Sequence, residues 1–433
     1  MNKTVHLVVP RSTRTSGQRT FHDYGWVPPV RLEYLARSLE IAGIETRIFD
    51  LNREAVSEDE LFRCDAFGVS VWHDQYPHGL ELLREAKQRG LRTLIGGAQT
   101  KGREAAIAAR HPYIDHVVSG YADRVIADLV LGRVSDRIVR NIGNVPARDD
   151  IHLGHVQHDL AGLHMDAFTY IPLATMRGCE KASGKGACLF CSENEERPAR
   201  VTAESFWRQI RSLNRQYGIR QYFETGSTFP TQPRFLQSLV EEKPSGLDVS
   251  LKVYSRVESL HPEQIELFSR IGVSAVFVGI ENIGSSVLRV LGKTSDLPHI
   301  ETVIRLLAEH GIDAYLSFVH RIPGDTMENV RRNIAFSERL VRFQGVRVGH
   351  PALIPVPGSA SFRMIEQDAA LQMAYRQVAG RNLASDDDPD LSVLSRLFVE
   401  RYTSLDMQAL TSELEAFRQR SLANGRGTFL FLE

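Results

Sequence analysis

Cysteine is scarce, with four in 433 residues and three of them between Cys179 and Cys191. So few thiols exclude a disulfide scaffold, and their clustering points to a metal site in a reduced compartment. A surplus of positive charge is also missing. Lys and Arg number 52 against 53 Asp and Glu, a formal net charge of −1, so nucleic acid is not an expected partner. No apolar run approaches the ~20 residues of a membrane helix. The longest, such as His6–Val9 and Ala275–Ile280, are strand-sized, and no membrane partner is expected. The opening MNKTVHLVVPRSTR has no signal-peptide core or small-residue cleavage site, which favours the cytoplasm. Hydrophobic residues at 42% and charged residues at 24% suffice to bury cores in two or three domains.

Up to about residue 135, short β-rich runs alternate with amphipathic helices. Val5–Val9, Thr46–Phe49, Ala66–Val71, Arg92–Ile95 and Val117–Ser119 read as strands. Leu32, Leu35, Ala36 and Leu39 share a helical face, and Gly43 stops that helix. Such alternation predicts a doubly wound parallel, Rossmann-like sheet whose ligand sits at the strand C-termini. No G-x-G-x-x-G follows the first strand and no P-loop occurs, so a dinucleotide is a poor fit.

Residues 136–168 show no period and read as a linker. Over residues 169–365 a second series begins, with strands Ile171–Met176, Gln221–Glu224, Val249–Val253, Ala275–Ile280, Ala314–Val319 and Val346–His350. Helices fall between them, at Ala203–Tyr217, Pro262–Ile271, Ile300–His310 and Met327–Leu340. Six βα units predict a (βα)6 partial barrel. Residues 366–433 read as helical, with Tyr402, Leu405, Leu410, Leu414 and Phe417 as core positions. Within them Ser385–Asp390, SDDDPD, reads as solvated surface.

The strand Ile171–Met176 runs into MRGCEKASGKGACLFCS, placing Cys179, Cys188 and Cys191 on one loop. Three thiolates with no nearby fourth suit a [4Fe–4S] cluster with one open iron. Zinc is the alternative metal, but a structural zinc closes with four ligands and none follows at the usual spacing. Cys64 reads as a small buried residue.

A three-cysteine loop after the first strand of such a barrel resembles the radical S-adenosylmethionine (radical SAM) superfamily, over about residues 170–360. The resemblance implies SAM on the open iron and places Phe190 at the adenine. It places Glu224, Thr225, Gly226 and Ser227 near the methionine amino group and Arg256 at the carboxylate. Glu281, in Gly279–Asn282, matches a G-I-E-S type segment, and Ile322 and Pro323 match an adenine-side segment. The spacing C-x8-C-x2-C departs from the common C-x3-C-x2-C, and the insert EKASGKGA reads as a loop-out.

The first 135 residues resemble the cobalamin-binding domain that precedes the barrel in one radical SAM subfamily. VPPVRLEYLARSLEIAGIETRIFDLN, FGVSVWHDQYPHGLELLREAKQRGLRTLIGG and DHVVSGYAD carry the likeness. It implies cobalamin contacts at Ser70, Trp72, Gly96, Gly97, Gln99 and Gly120. D-x-H-x-x-G is absent, and His73 and His78 read as polar loop histidines.

Together the resemblances imply a cobalamin-dependent radical SAM methyltransferase. It would act on an unactivated carbon of a small molecule through a 5′-deoxyadenosyl radical, with electrons from a donor such as flavodoxin or ferredoxin. The alternatives are a non-methylating rearrangement, oxidation or ring formation, aminocarboxypropyl transfer, or a non-catalytic cobalamin or iron–sulfur sensor. Tyr254, His320, Arg321 and Pro351–Phe362 are the candidates to face substrate.

Overall fold

The structure is a computed structural model that describes residues 3–12, 29–52, 55–141, 170–184, 186–192, 198–293, 296–423 and 428–429. Six strands form the first sheet: β1 (Thr4–Val9), β2 (Glu45–Asp50), β3 (Ala66–Ser70), β4 (Arg92–Gly96), β5 (His116–Gly120) and β6 (Ile138–Asn141). All pairs are parallel, in the order β2-β1-β3-β4-β5-β6. Both faces are covered, so its strands are nearly continuous apolar runs: Val5, Leu7, Val8, Phe67 and Val117 are all buried.

The strand β6 corrects the expected boundary at 135. It pairs with β5 from Val117↔Ile138 to Gly120↔Asn141. Four residues are too few to show a period, so only the pairing reveals it. The rest of the expected linker, 142–168, lies outside the described residues.

The second sheet holds β7 (Ile171–Leu173), β10 (Gln221–Glu224), β11 (Ser250–Arg256), β12 (Val273–Gly279), β13 (Asp313–Ser317), β14 (Val346–Gly349) and β15 (Thr428–Phe429). It is parallel throughout, in the order β15-β14-β13-β12-β11-β10-β7. A short antiparallel pair, β8 (Met176–Arg177) with β9 (Ala199–Arg200), flanks the cysteine loop. The first barrel strand therefore stops at Leu173 rather than Met176. The edge strand β15 shows that residues 366–433 also supply the barrel.

Local chemistry sets the helix ends. Thr202 and Thr326 accept the N–H groups of Ser205 and Asn329 at helix N-termini. Pro262 opens the helix Pro262–Ile271, and Gly272, at φ 107°, closes it. Leu410, Leu414 and Phe417 on Met407–Ala423 join the barrel core. Helices Ala360–Gln367, Ala369–Ala379 and Leu391–Tyr402 form another core, with Leu189 of the cysteine loop and Ile322 beyond β13. They cap the barrel at its strand C-termini. Among the described residues no helix is long and apolar enough to cross a membrane.

The acidic run Ser385–Asp390 is not solvated, contrary to expectation. Asp386 and Asp387 are buried. Tyr76 Oη donates to Asp387 at 2.8 Å and His111 Nε2 bonds it at 2.7 Å. Arg103 Nη1 donates to the Leu383 carbonyl at 2.8 Å. The run clasps the C-terminal helices to the first domain, and its carboxylates find partners 276 and 311 residues away in sequence.

The clasp titrates in two senses. Burial alone would raise the Asp387 carboxyl, but hydrogen bonds from His111 and Tyr76 hold it below the usual range. Asp388 is pushed up to about 6 by burial and by the charges of Asp387 and Asp386. Ionised Asp388 therefore opposes folding, an effect that sets in as pH rises through the ordinary carboxylate range and is complete above about 6. D388N, which can still accept from Gln99, is expected to raise the thermal midpoint at pH 7.5 and to raise it much less at pH 4. Calorimetry at the two pH values checks this, and equal shifts at both would refute it.

Candidate functional site

The C-terminal ends of β3, β4 and β5 enclose a slot of about 300 Å³. Small residues, Gly68, Ser70, Gly96, Gly97, Ala98 and Gly120, line part of it, together with larger apolar side chains such as Leu7, Leu32, Leu35 and Ile126. Two of these glycines differ physically. Gly97 sits at φ 107°, and a Cβ there would lie 2.4 Å from the Val71 carbonyl oxygen, so the fold itself demands glycine. A Cβ on Gly96 would meet only the Val118 carbonyl, at 3.7 Å. The bare wall at Gly96 is thus left open for a ligand.

Trp72 lines the same slot and is 63% exposed, although it is a large hydrophobic residue. Arg177, from the segment before Cys179, closes the slot from the barrel side. Its Nη2 donates to Asp123 at 2.9 Å and its guanidinium lies 4.4 Å from the Tyr121 ring centre. Arg177 Nε and Nη1 are buried and have no partner among the described residues. Orphaned donors beside this slot suit a ligand rich in acceptors, as cobalamin is with its amides and phosphate.

Gln99 is a correction. Its Nε2 donates to Asp388 at 3.0 Å and it is buried in the clasp rather than lining the slot. His78 accepts from the Arg11 N–H at 2.9 Å and serves as a loop anchor.

Cys179, Cys188 and Cys191 are half-buried free thiols on one loop. The Cys191 N–H donates to the Cys188 carbonyl at 2.9 Å, and Thr228 Oγ1 donates to Cys179 Sγ at 3.2 Å. Among the described residues no three His, Cys, Asp or Glu side chains converge as ligands of a single ion would. A cluster asks less, since each thiolate binds its own iron. Three accessible thiols on one loop, with one sulfur already accepting a hydrogen bond, fit that group.

The residues of the expected SAM segments have differing surroundings. Glu224 is fully buried with both oxygens in use. It accepts from the Thr175 N–H at 3.1 Å, from the Thr175 hydroxyl and from the Gly226 N–H at 3.0 Å. Burial pushes its carboxyl up while these bonds pull it down. It pins the approach to the cysteine loop, so its carboxylate is not free for an amino group. Gly226 is forced, because a Cβ there would lie 2.5 Å from the Met176 carbonyl. Thr225 lines the large cavity below, its hydroxyl bonded to the Leu173 carbonyl at 2.8 Å, and Ser227 is half-buried in the same turn.

Arg256 donates to Ser259 Oγ at 3.0 Å, and its buried Nε has no partner among the described residues. Glu281, at φ 69°, pairs with Lys293 at 3.0 Å. Ile322 is wholly buried with Leu189, and Phe190 packs at the edge of that cluster, so these residues offer backbone rather than side chain. Pro323 is half-buried.

Between the two domains and the C-terminal helices lies a cavity of about 1350 Å³. Trp72 and His73 line it from the first domain, Tyr254, Phe223 and Arg321 from the barrel, and Arg396 from the cap. Arg31 spans the gap, its Nη2 donating to the Thr225 carbonyl at 3.2 Å. Tyr254, Arg321 and, from the 351–362 loop, Ile354 and Val356 thus face the space expected for substrate. His320 does not. It is buried, stacked on His350 with 2.9 Å between Nε2 and Nδ1, and burial pushes it down to about 4.

Comparison with known proteins agrees with this geometry. Residues 173–336 match the radical SAM superfamily and residues 22–130 the B12 binding domain. An uncharacterized methyltransferase of Pyrococcus horikoshii is 24% identical over 345 residues, 72% of this chain and 73% of that protein. Among solved structures, the radical SAM methyltransferase TsrM from Kitasatospora setae superposes with TM-score 0.64 at 18% identity, covering 85% of this chain and 75% of TsrM. OxsB, a cobalamin-dependent SAM radical enzyme, superposes with TM-score 0.60 at 13% identity, covering 97% of this chain and 61% of OxsB. At such identities the likeness is one of fold.

Slot, cysteine loop and cavity together define a protein of two parallel-sheet domains with a cavity between them. The chain carries a radical SAM domain over residues 173–336, with a B12 binding domain ahead of it over residues 22–130. Its cofactors are a [4Fe–4S] cluster, SAM and cobalamin.

The open wall at Gly96 supplies a test. G96V adds bulk where no protein atom crowds it, so folding and iron uptake are expected to persist while cobalamin uptake is lost. The absorption spectrum and iron content of protein from cobalamin-fed cells check this. Normal cobalamin uptake by G96V would show that the slot is not the site.

Proposed function

We propose that the protein is a methyltransferase that places a methyl group on an unactivated carbon of a small molecule. One observation carries the reading: the slot and the large cavity share Arg31, Leu32, Ser70 and Trp72, and the slot is also lined by Arg177 and Ser192, which flank the cysteine loop on either side. When bound, the cluster and SAM supply a radical able to take hydrogen from a C–H bond, and cobalamin supplies the methyl group. The relative from Pyrococcus horikoshii is named a methyltransferase, and TsrM is described with a tryptophan substrate. Both support the class of reaction, and neither identifies the substrate here.

The chain's own part is binding, orientation and exclusion of water. Arg31, bonded to the Thr225 carbonyl, bridges the domains at the cavity wall. Tyr254, held above its usual range at about 12 by burial, stays neutral and presents an aromatic wall. The helix Leu391–Tyr402 roofs the space with Ser395, Arg396 and Val399. Such cover over a reaction centre limits the access of solvent to a radical. A low-potential electron donor such as flavodoxin or ferredoxin, and a cytoplasmic location, go with this reading.

Products decide among the chemistries. Incubated anaerobically with SAM, reductant and a panel of small molecules, the holoenzyme is expected to form S-adenosylhomocysteine together with 5′-deoxyadenosine. Methylthioadenosine instead would mean aminocarboxypropyl transfer, and 5′-deoxyadenosine alone would mean a rearrangement or oxidation. Failure to cleave SAM at all would mean a sensor.

A further inference from the structure

Two buried lysines stand beside the cysteine loop. Lys293 is 7% exposed, and its Nζ lies 3.0 Å from Glu281 Oε1, 3.2 Å from the Gly279 carbonyl and 3.8 Å from Glu258 Oε1. Lys181, from the eight-residue insert between Cys179 and Cys188, is 5% exposed and donates to the Gly186 carbonyl at 3.0 Å. A Cβ on Gly292 would lie 3.6 Å from Lys181 Nζ, so the second ammonium rests against the turn that carries Lys293. The insert does not loop out, as its Gly- and Lys-containing sequence suggested. Its helix, Glu180–Gly184, turns a lysine inward.

Lys181 follows Cys179 by two residues and its ammonium bonds the carbonyl two residues ahead of Cys188, while Lys293 follows the Gly292 turn against which that ammonium rests. Such placement has a cost, because buried ammonium groups are desolvated. Two of them beside one cysteine need a reason beyond packing, and a buried apolar residue would pack as well.

Resting on the assignment of the cluster to these cysteines, we propose that Lys293 and Lys181 are positioning residues that set the reduction potential of the cluster. One electron enters from a low-potential donor, and the cluster with its three thiolates gains one negative charge. Nearby positive charge stabilises the reduced form and raises the potential, since net charge and hydrogen bonds around a cluster are what tune it. Lys293 also neutralises Glu281 and Glu258. Its removal leaves the buried Glu281 and the half-buried Glu258 without that counter-charge, so the potential falls for both reasons. The Thr228 hydroxyl on Cys179 Sγ acts in the same sense as the lysines.

Redox titration of the anaerobically purified holoprotein, read by the spin signal of the reduced cluster, tests this. Iron content is measured first. A wild type without about four irons per chain would overturn the cluster assignment itself, apart from the lysine proposal. With iron in place, K293M is expected to need at least a tenfold more reducing poise for half-reduction, a downward shift of about 59 mV or more for one electron. K181M is expected to shift the same way by less, and K293R to stay near wild type. K293M/E281Q, which removes the pair together, is expected to fall between K293M and wild type. K243M removes the same charge from the start of the barrel strands, where Lys243 bonds the Arg270 carbonyl, and is expected to shift nothing. An unchanged potential in K293M and K181M would overturn the proposal. Should K293M fail to hold iron, K181M and K293M/E281Q decide the question.

Discussion

The buried ion pair between Arg177 and Asp123 is the contact on which the arrangement depends. Its two side chains are 3% and 8% exposed and meet at 2.9 Å. Arg177 leads directly into the cysteine loop, and Asp123 follows β5 at the edge of the slot. One bond therefore joins the edge of the slot to the approach to the cysteine loop. Pairs of this kind contribute little against a hydrophobic replacement, but losing one partner strands a charge, at roughly 3–5 kcal/mol. The pair holds register between domains rather than adding net stability.

Parallel sheets gather their ligand sites at strand C-termini. A chain that needs two cofactors in one space must turn the C-terminal edges of two such sheets toward each other. Three contacts do so here: Arg177 with Asp123, Arg31 with the Thr225 carbonyl, and the acidic clasp with Tyr76, His111 and Arg103. The capping helices complete the wall. The large cavity is thus a consequence of topology and docking together, with no element dedicated to it alone.

Much of this was readable from the residues. Apolar runs of strand length with helical periods between them point to eleven strands, each with an observed counterpart within about three residues at either end. The helices Ala203–Tyr217, Pro262–Ile271 and Met327–Leu340 were legible to the residue, because Thr, Pro and Gly punctuate their ends. The cysteine spacing announced a cluster. What stayed hidden depends on partners remote in sequence. The two-residue strand β15 and the four-residue β6 exist only through pairing. Ser385–Asp390 looks solvated until His111 and Tyr76 reach it. Gln99 and Glu224 have suitable chemistry for ligands, yet Asp388 and Thr175 claim them. Arg177, Thr228 and Lys293 carried no motif at all; only their burial beside the loop marks them.

The central claim is that one chain carries both an iron–sulfur cluster and cobalamin, across a shared cavity. Iron and cobalt content, measured on protein purified anaerobically from cells supplied with cobalamin, tests it most directly. The account predicts about four irons and one cobalt per chain. Iron without cobalt, even after cobalamin is added to the purified protein, would contradict it and leave the first sheet a scaffold.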